Sequence, residues 1–95
     1  MSGGETMESR TTEDFRKTFA KLPGEIRRLA GKNYQLWRDN PDHPSLQFKN
    51  VHPKEPIYSV RIGLHYRAVG IREEDTMTWF WIGPHSEYDR LLSRL

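Results

Sequence analysis

Three strand-forming runs follow one another in residues 57–88, IYSVRIGLHYRAVGIREEDTMTWFWIGPHSEY. Apolar and polar side chains alternate in residues 58–62, and this pattern predicts a half-buried strand. A tight Gly-Leu-His turn leads to a second predicted strand over residues 66–71. After an acidic turn, residues 76–82 are apolar on both faces, which predicts a central strand. A short final helix is predicted over residues 86–95.

Two helices are predicted before these strands. Thr12 is a suitable N-cap, and Phe15, Phe19 and Leu22 form an apolar stripe at helical spacing. A Pro-Gly turn then leads to a second amphipathic helix over residues 25–38. Helix, short turn and helix together predict an antiparallel helical hairpin.

The remaining segments complete the predicted α+β fold. Residues 45–51 alternate in polarity and predict a further strand. Residues 1–11 are small and polar, and we expect a flexible lead-in there, with a single domain over residues 12–95. The predicted architecture is an N-terminal helical hairpin packed on a small antiparallel β-sheet, with a short C-terminal helix, and all helices are predicted to lie on one face of the sheet.

Composition limits the possible functions. The 95 residues carry a net charge of +2, which alone does not argue for a nucleic-acid partner. The chain has no cysteine, so disulfides and thiolate chemistry are excluded. The four histidines show no metal-binding spacing, and we predict no metal or cofactor. The longest apolar run is too short to cross a bilayer and the first residues do not form a secretory signal, so we expect a cytoplasmic protein with no membrane partner.

Residues 56–72 contain three arginines and no acidic residue. Arg61 lies on the polar side of its strand, where it could offer a planar fork to a phosphate or remain a solvated surface residue. Arg67 shares its alternation with Val69, so it either points inward or a bulge near Gly63 resets the pattern. A half-buried arginine needs a partner, and both a phosphate and a carboxylate are open possibilities. A third arginine, Arg72, is assigned to the acidic turn.

His85 and Tyr88 follow the third strand at a spacing of three residues, on one side of a helical turn. Histidine is suited to proton transfer near neutral pH, although His85 could equally be the first residue of the helix and Tyr88 a core contact. Trp79 and Trp81 share the alternation of Met77, so we predict that they lie in the core rather than stack on bases. The basic face of the second helix is either solvated or contacts an RNA backbone or an acidic partner.

Three sequence segments together resemble the RelE/ParE superfamily of type II toxin–antitoxin toxins. They are LWRDNPDHPSLQFKNV, YSVRIGLHYRAVG and WFWIGPHSEYDRLL, and the resemblance covers about residues 12–95. Its specific part is the Tyr-x-Val-Arg-Ile-(x)3-Tyr-Arg hairpin followed by Gly-x-His-(x)2-Tyr. The sequence departs from relatives in two places. Many open with a strand, for which residues 1–11 are poorly suited, and some carry a second basic strand residue where Ser59 stands.

The resemblance implies a metal-independent endoribonuclease that cuts mRNA in the ribosome and is neutralised by a cognate antitoxin covering the basic sheet face. In such toxins the RNA 2′-hydroxyl attacks the adjacent phosphorus. The resemblance places the catalytic residues at Arg61, Arg67, His85 and Tyr88. The predicted RNA-binding residues are Lys49, His65, Arg27 and Arg28. Two alternatives stay open: a ParE-like inhibitor of DNA gyrase without hydrolytic activity, and an inactive relative that only binds antitoxin.

Overall fold

The computed structural model describes residues 7–95, which form a five-stranded sheet with helices on both of its faces. The sheet order is β1-β5-β4-β3-β2, with β1 parallel to β5 and the other pairs antiparallel. This confirms the predicted α+β class. The elements in chain order are β1 (Glu8–Thr11), α1 (Glu13–Ala20), α2 (Gly24–Asp39), a 3-10 turn (Pro44–Leu46), β2 (Lys49–Asn50), β3 (Ile57–Ile62), β4 (Tyr66–Glu73), β5 (Thr76–Pro84) and α3 (His85–Arg94).

The helical hairpin forms where the sequence predicts it. The Thr12 hydroxyl accepts a hydrogen bond from the Phe15 amide at 3.1 Å, which confirms Thr12 as the N-cap of α1. Two acidic residues in the first turn of α1 complement the helix dipole. Both α1 and α2 are amphipathic and pack on one face of the sheet, which we call the hairpin face.

The main core lies on the hairpin face. Trp37 of α2 is only 2% exposed, and its ring centroid lies 5.4 Å from that of Trp79 and 5.8 Å from that of Phe48. Aromatic side chains bury large areas, which offsets the low apolar content of the chain. The buried members of this core are Trp37, Leu46, Val60, Ile62, Ala68, Met77, Trp79 and Ile82.

A β-bulge in β5 changes which face its tryptophans occupy. Val69 of β4 pairs with Trp81 and Gly70 pairs with Trp79, so Phe80 is an extra residue on β5. Trp79 therefore packs in the main core, whereas Trp81 packs on the opposite face. The prediction that both tryptophans share one face is wrong because a bulge resets the alternation. The prediction that β5 is central is confirmed, since it lies between β1 and β4.

The start of the chain also differs from expectation. Glu8–Thr11 form β1 rather than part of a flexible lead-in, while residues 1–6 of that predicted lead-in lie outside the described residues. This edge strand is held by backbone pairing to β5 and by the Trp79 indole N–H, which donates to the Ser9 hydroxyl at 3.2 Å. Backbone pairing does not require apolar side chains, so a polar sequence concealed the strand.

The strand predicted over residues 45–51 is mostly absent. Pro44 begins a 3-10 turn, and Gln47 has a left-handed backbone with φ of 47°, which interrupts an extended path. Only Lys49–Asn50 pair with β3. The short segment still buries Leu46 completely against the main core.

The third helix packs on the face opposite the hairpin, so the prediction that all helices share one face is wrong. Tyr88 of α3 is buried with Ile57 and Val69, and Leu91 and Leu92 pack around them. These residues form a smaller second core on what we call the α3 face. Within residues 7–95, no helix is long and apolar enough to cross a membrane.

Candidate phosphate-binding site

Two arginines lie directly opposite each other on the α3 face. Arg61 of β3 pairs in register with Arg67 of β4, and directly paired residues point to the same side of a sheet. Arg67 keeps the alternation of Val69, as the sequence predicted, but that alternation leads to the α3 face. The alternative that a bulge near Gly63 resets the alternation is wrong, because the β-bulge lies in β5. Both arginines are half-buried.

Neither arginine forms an ion pair with an acidic side chain of residues 7–95. The ion pairs found among residues 7–95 are Arg10–Glu8 and Lys17–Glu13, both at the protein surface. Like charges directly opposite each other in a sheet are destabilising. Because a half-buried cation needs a partner, this pair is suited to binding an anion.

Backbone contacts hold the two guanidinium groups in place. Arg61 donates from Nε to the Gly63 carbonyl at 2.8 Å, and Arg67 donates from Nη1 to the Tyr66 carbonyl at 3.0 Å. Each guanidinium has five N–H donors in a fixed planar arrangement, so most donors of each group stay available for a ligand. This geometry suits the oxygens of a phosphate.

The Tyr88 ring packs against the Arg67 guanidinium group. The Arg67 guanidinium carbon lies 5.9 Å from the centre of the Tyr88 ring, within range of a cation–π interaction. The Tyr88 hydroxyl donates to the Ser59 hydroxyl at 2.9 Å, and both side chains are buried. The catalytic role predicted for Tyr88 stays a prediction, and the observed contacts favour support of Arg67.

The N-terminus of α3 lies at the same end of the sheet as the arginine pair. Its N-cap, Pro84, provides no side-chain capping bond, and the His85 amide donates to the His65 carbonyl at 2.6 Å. A helix N-terminus favours negative charge, so this helix end adds to the positive potential of the arginines. The His85 side chain is exposed, and its ring centroid lies 5.7 Å from that of Tyr88.

Gly83 lies opposite Arg67, and the Trp81 ring packs against it. Gly83 and Arg67 pair in register, and a Cβ atom on Gly83 would lie 2.8 Å from the Trp81 ring. Only glycine therefore fits at this position without moving Trp81. Sequence reasoning did not select Gly83 or Ser59 for the site, because their roles depend on cross-strand register and on the packing of α3.

The predicted RNA-binding residues are divided between the two faces. Lys49 pairs in register with Ser59, so it is on the α3 face, where it is exposed at the border of the arginine pair. His65 is exposed in the β3–β4 turn beside the start of α3. Arg27 and Arg28 are exposed on α2, which packs on the hairpin face, so the structure does not bring them to the arginine pair.

Arg72 is also separate from the pair. It lies within β4 rather than in the acidic turn to which the sequence assigned it. Its guanidinium carbon lies 5.7 Å from the centre of the Tyr58 ring, and Tyr58 packs on the hairpin face.

Other possible ligand sites are less suited to phosphate. A cavity of about 420 Å³ lies between the hairpin and the sheet, but most of its lining is apolar, including Phe15, Phe19 and Trp79. Within residues 7–95, no group of three His, Cys, Asp or Glu side chains could hold a metal ion. The arginine pair is thus the feature of the described chain best suited to an anionic ligand.

Comparison with known proteins identifies the family. A family model described as the ParE-like toxin domain matches residues 25–90. The chain therefore belongs to the ParE-like toxin family, within the RelE/ParE superfamily that the sequence motifs indicate. Among curated proteins, no significant sequence match was found.

Solved structures show the same fold. RelE in the RelB–RelE antitoxin–toxin complex from Methanococcus jannaschii is 20% identical, with a TM-score of 0.68, over 85% of this chain and 96% of that chain. The archaeal RelE–RelB complex from Pyrococcus horikoshii OT3 contains a chain 14% identical, with a TM-score of 0.67, over 83% of this chain and 94% of that chain. A free variant of the E. coli toxin RelE is 16% identical, with a TM-score of 0.65, over 95% of this chain and 98% of that chain.

Proposed function

We propose that this protein is the toxin of a type II toxin–antitoxin system and that it cleaves mRNA in the cytoplasm, in association with the ribosome and without a metal ion. The observation that carries the proposal is the half-buried pair of Arg61 and Arg67, which face each other with no carboxylate partner among residues 7–95. A phosphodiester carries one negative charge and can accept hydrogen bonds from both guanidinium groups, and the second negative charge that develops in the transition state matches the second arginine.

The proposed reaction uses the RNA itself as the nucleophile. The 2′-oxygen forms a bond to the adjacent phosphorus, and the bond from phosphorus to the 5′-oxygen breaks. This gives a 2′,3′-cyclic phosphate and a free 5′-hydroxyl. Negative charge builds on the non-bridging oxygens in the transition state, where the two arginines would stabilise it. A single preorganised donor of this kind can contribute about 10²–10³ in rate.

Two proton transfers accompany this reaction, and two histidines, His65 and His85, are candidates for them. The backbone of His85 is hydrogen-bonded to that of His65, and both side chains are exposed, which supports a shared role for the two residues. We assign His85 as the acid that protonates the 5′-oxygen. We assign His65 as the base that takes the proton of the 2′-hydroxyl. Imidazole is suited to both roles near neutral pH.

The proposed antitoxin partner follows from the relatives. The two archaeal RelE structures are complexes with RelB, and we extend this type of partner to the present chain. Charge complementarity supports an antitoxin segment with acidic side chains on the α3 face, because the arginine pair and Lys49 make that face basic.

Expression of matched variants tests the proposal. We expect wild-type protein expressed alone to arrest growth and to cleave mRNA. Arg67→Ala and His85→Ala should each relieve the arrest while the protein stays folded by circular dichroism. Arg38→Ala is the matched control, because Arg38 also lies 5.9 Å from a tyrosine ring, that of Tyr34 on α2. If Arg67→Ala remains fully toxic, the assigned chemistry is wrong.

A second candidate function is inhibition of DNA gyrase by binding alone, which the ParE-like description of the matching family favours. The two functions differ in their direct products. Purified protein that blocks supercoiling by gyrase, and leaves mRNA intact during translation, would support the gyrase inhibitor. Cleaved mRNA with normal supercoiling would support the nuclease.

A further inference from the structure

A buried pair of hydroxyl groups connects β3 to α3 beneath the arginine pair. Ser59 is 2% exposed and Tyr88 is 7% exposed, and their hydroxyls form a hydrogen bond of 2.9 Å. The surroundings are apolar, with Ile57 and Val69 buried beside Tyr88. A buried hydroxyl without a partner is costly, so this bond favours one position of the Tyr88 ring over others.

That ring position matters for two groups of the candidate site. The Tyr88 ring lies beneath the Arg67 guanidinium at 5.9 Å and beside the His85 ring at 5.7 Å. Arg67 and His85 are exposed enough to reach a ligand, whereas Ser59 is not. The Ser59 hydroxyl therefore acts on these two groups through Tyr88.

We propose that Ser59 is a positioning residue, which fixes the Tyr88 ring by accepting its hydroxyl hydrogen and thereby holds Arg67 and His85 in place. This inference rests on the proposed nuclease function for its catalytic consequence, but not for its structural part. It gives Ser59 a role where the resemblance indicated only a missing basic residue. A lysine or arginine at position 59 would have to bury its charge beneath α3, whereas serine holds that helix by a neutral hydrogen bond.

Three variants separate positioning from general stability. Ser59→Ala leaves the Tyr88 hydroxyl without its partner. The double variant Ser59→Ala with Tyr88→Phe removes both hydroxyls and keeps the ring. Ile57→Val is the control, because it trims the same apolar cluster without touching the hydroxyl pair. Each protein is measured for thermal unfolding, for the NMR signal of the Arg67 Nε–H group, and for kcat and KM of cleavage of a short RNA.

We expect Ser59→Ala to shift the Arg67 signal, because a displaced Tyr88 ring would change the ring current at the guanidinium group 5.9 Å away. It should also lower kcat about tenfold with a smaller change in KM. In the double variant, the Arg67 signal and kcat should both return part of the way to their wild-type values, because no buried hydroxyl is left unpaired. Ile57→Val should lower the unfolding temperature and leave the Arg67 signal and kcat near wild-type values.

Two results would overturn the inference. One is a Ser59→Ala protein that loses stability like Ile57→Val but keeps the wild-type Arg67 signal and kcat. The other is a double variant whose loss of kcat and of stability is as large as that of Ser59→Ala alone, or larger. If wild-type protein cleaves no RNA, the nuclease proposal fails by itself. The Arg67 signal then decides the positioning role: a shift in Ser59→Ala supports it and an unchanged signal contradicts it.

Discussion

The two faces of the sheet differ in whether their side chains find favourable partners within the protein. On the hairpin face, Trp37, Trp79 and Phe48 pack edge to face in an apolar core. On the α3 face, a smaller core lies next to Arg61 and Arg67, which repel each other and have no acidic partner among residues 7–95. Stability is concentrated on the first face. The second face carries an unfavourable arrangement that a phosphate would relieve.

Two arginine–tyrosine pairs make the contrast specific. Arg38 and Arg67 each lie 5.9 Å from a tyrosine ring, but their surroundings differ. Arg38 is exposed on α2, where it also donates to the Tyr34 hydroxyl at 3.3 Å. Arg67 is half-buried opposite a second arginine. The same local contact is therefore a surface feature on one face and part of a candidate site on the other.

The largest effect is expected on the hairpin face. Trp37→Ala should lower the free energy of unfolding by about 3–5 kcal/mol, because it empties the centre of the main core. Urea denaturation followed by circular dichroism measures this loss. Any fall in activity should match the unfolded fraction. A folded Trp37→Ala protein that lacks activity would contradict the claim that the hairpin face contributes stability and the α3 face contributes activity.

The second-largest effect is expected on the α3 face, and it should change RNA cleavage but not lower stability. Arg67→Ala should reduce RNA cleavage by about 10²–10³, the range for removing one donor that stabilises transition-state charge. Its stability should stay equal or rise slightly, because a repulsive pair is removed. Single-turnover cleavage assays and thermal unfolding measure the two quantities. A large loss of stability would show that Arg67 is a structural residue instead.

A smaller effect tests the bulge that separates the faces. Gly70 lies at the register shift, and a Cβ atom there would come within 2.7 Å of the Thr78 carbonyl oxygen. Gly70→Ala should lower the free energy of unfolding by about 1–3 kcal/mol. Gly31 in α2 is the matched control, since a Cβ atom there meets nothing within 4 Å. Gly31→Ala should raise stability by about 0.5–1 kcal/mol. Equal effects at both glycines would contradict the packing described.

The smallest effect concerns the start of the hairpin. Thr12→Ala removes the hydroxyl that accepts from the Phe15 amide, and it should cost about 1 kcal/mol of stability. Denaturant titration can measure this difference. Thr12→Ser keeps the hydroxyl and should stay near the wild-type value. RNA cleavage should be unchanged in both variants, because this cap is on the hairpin face.

The sequence predicted those features that depend on local patterns. Helical periodicity and a capping residue located the hairpin, and alternation located β3 and β4 within one or two residues at each end. The bulge at Phe80 was not predicted, because an extra residue in an apolar strand leaves no mark in its composition. Strand β1 was missed because backbone pairing holds it and its side chains are polar.

The candidate site was predicted as a set of residue types but not as an arrangement. Arg61 and Arg67 were selected because no acidic residue stands near them in sequence, and the register then placed them face to face. The role of Ser59 depends on its hydrogen bond to Tyr88 of α3, which lies 29 residues later in the chain. Separation of this kind cannot be read from local spacing.

The most direct test of the central claim is a binding titration with a short 2′-O-methyl RNA, which the proposed reaction cannot cleave. The double variant Arg61→Ala with Arg67→Ala should weaken binding at least about tenfold, since each charge-assisted hydrogen bond contributes about 1.5–3 kcal/mol. Arg38→Ala should bind like wild type. The opposite result, unchanged binding by the double variant with weakened binding by Arg38→Ala, would contradict the assignment of the phosphate site to the α3 face.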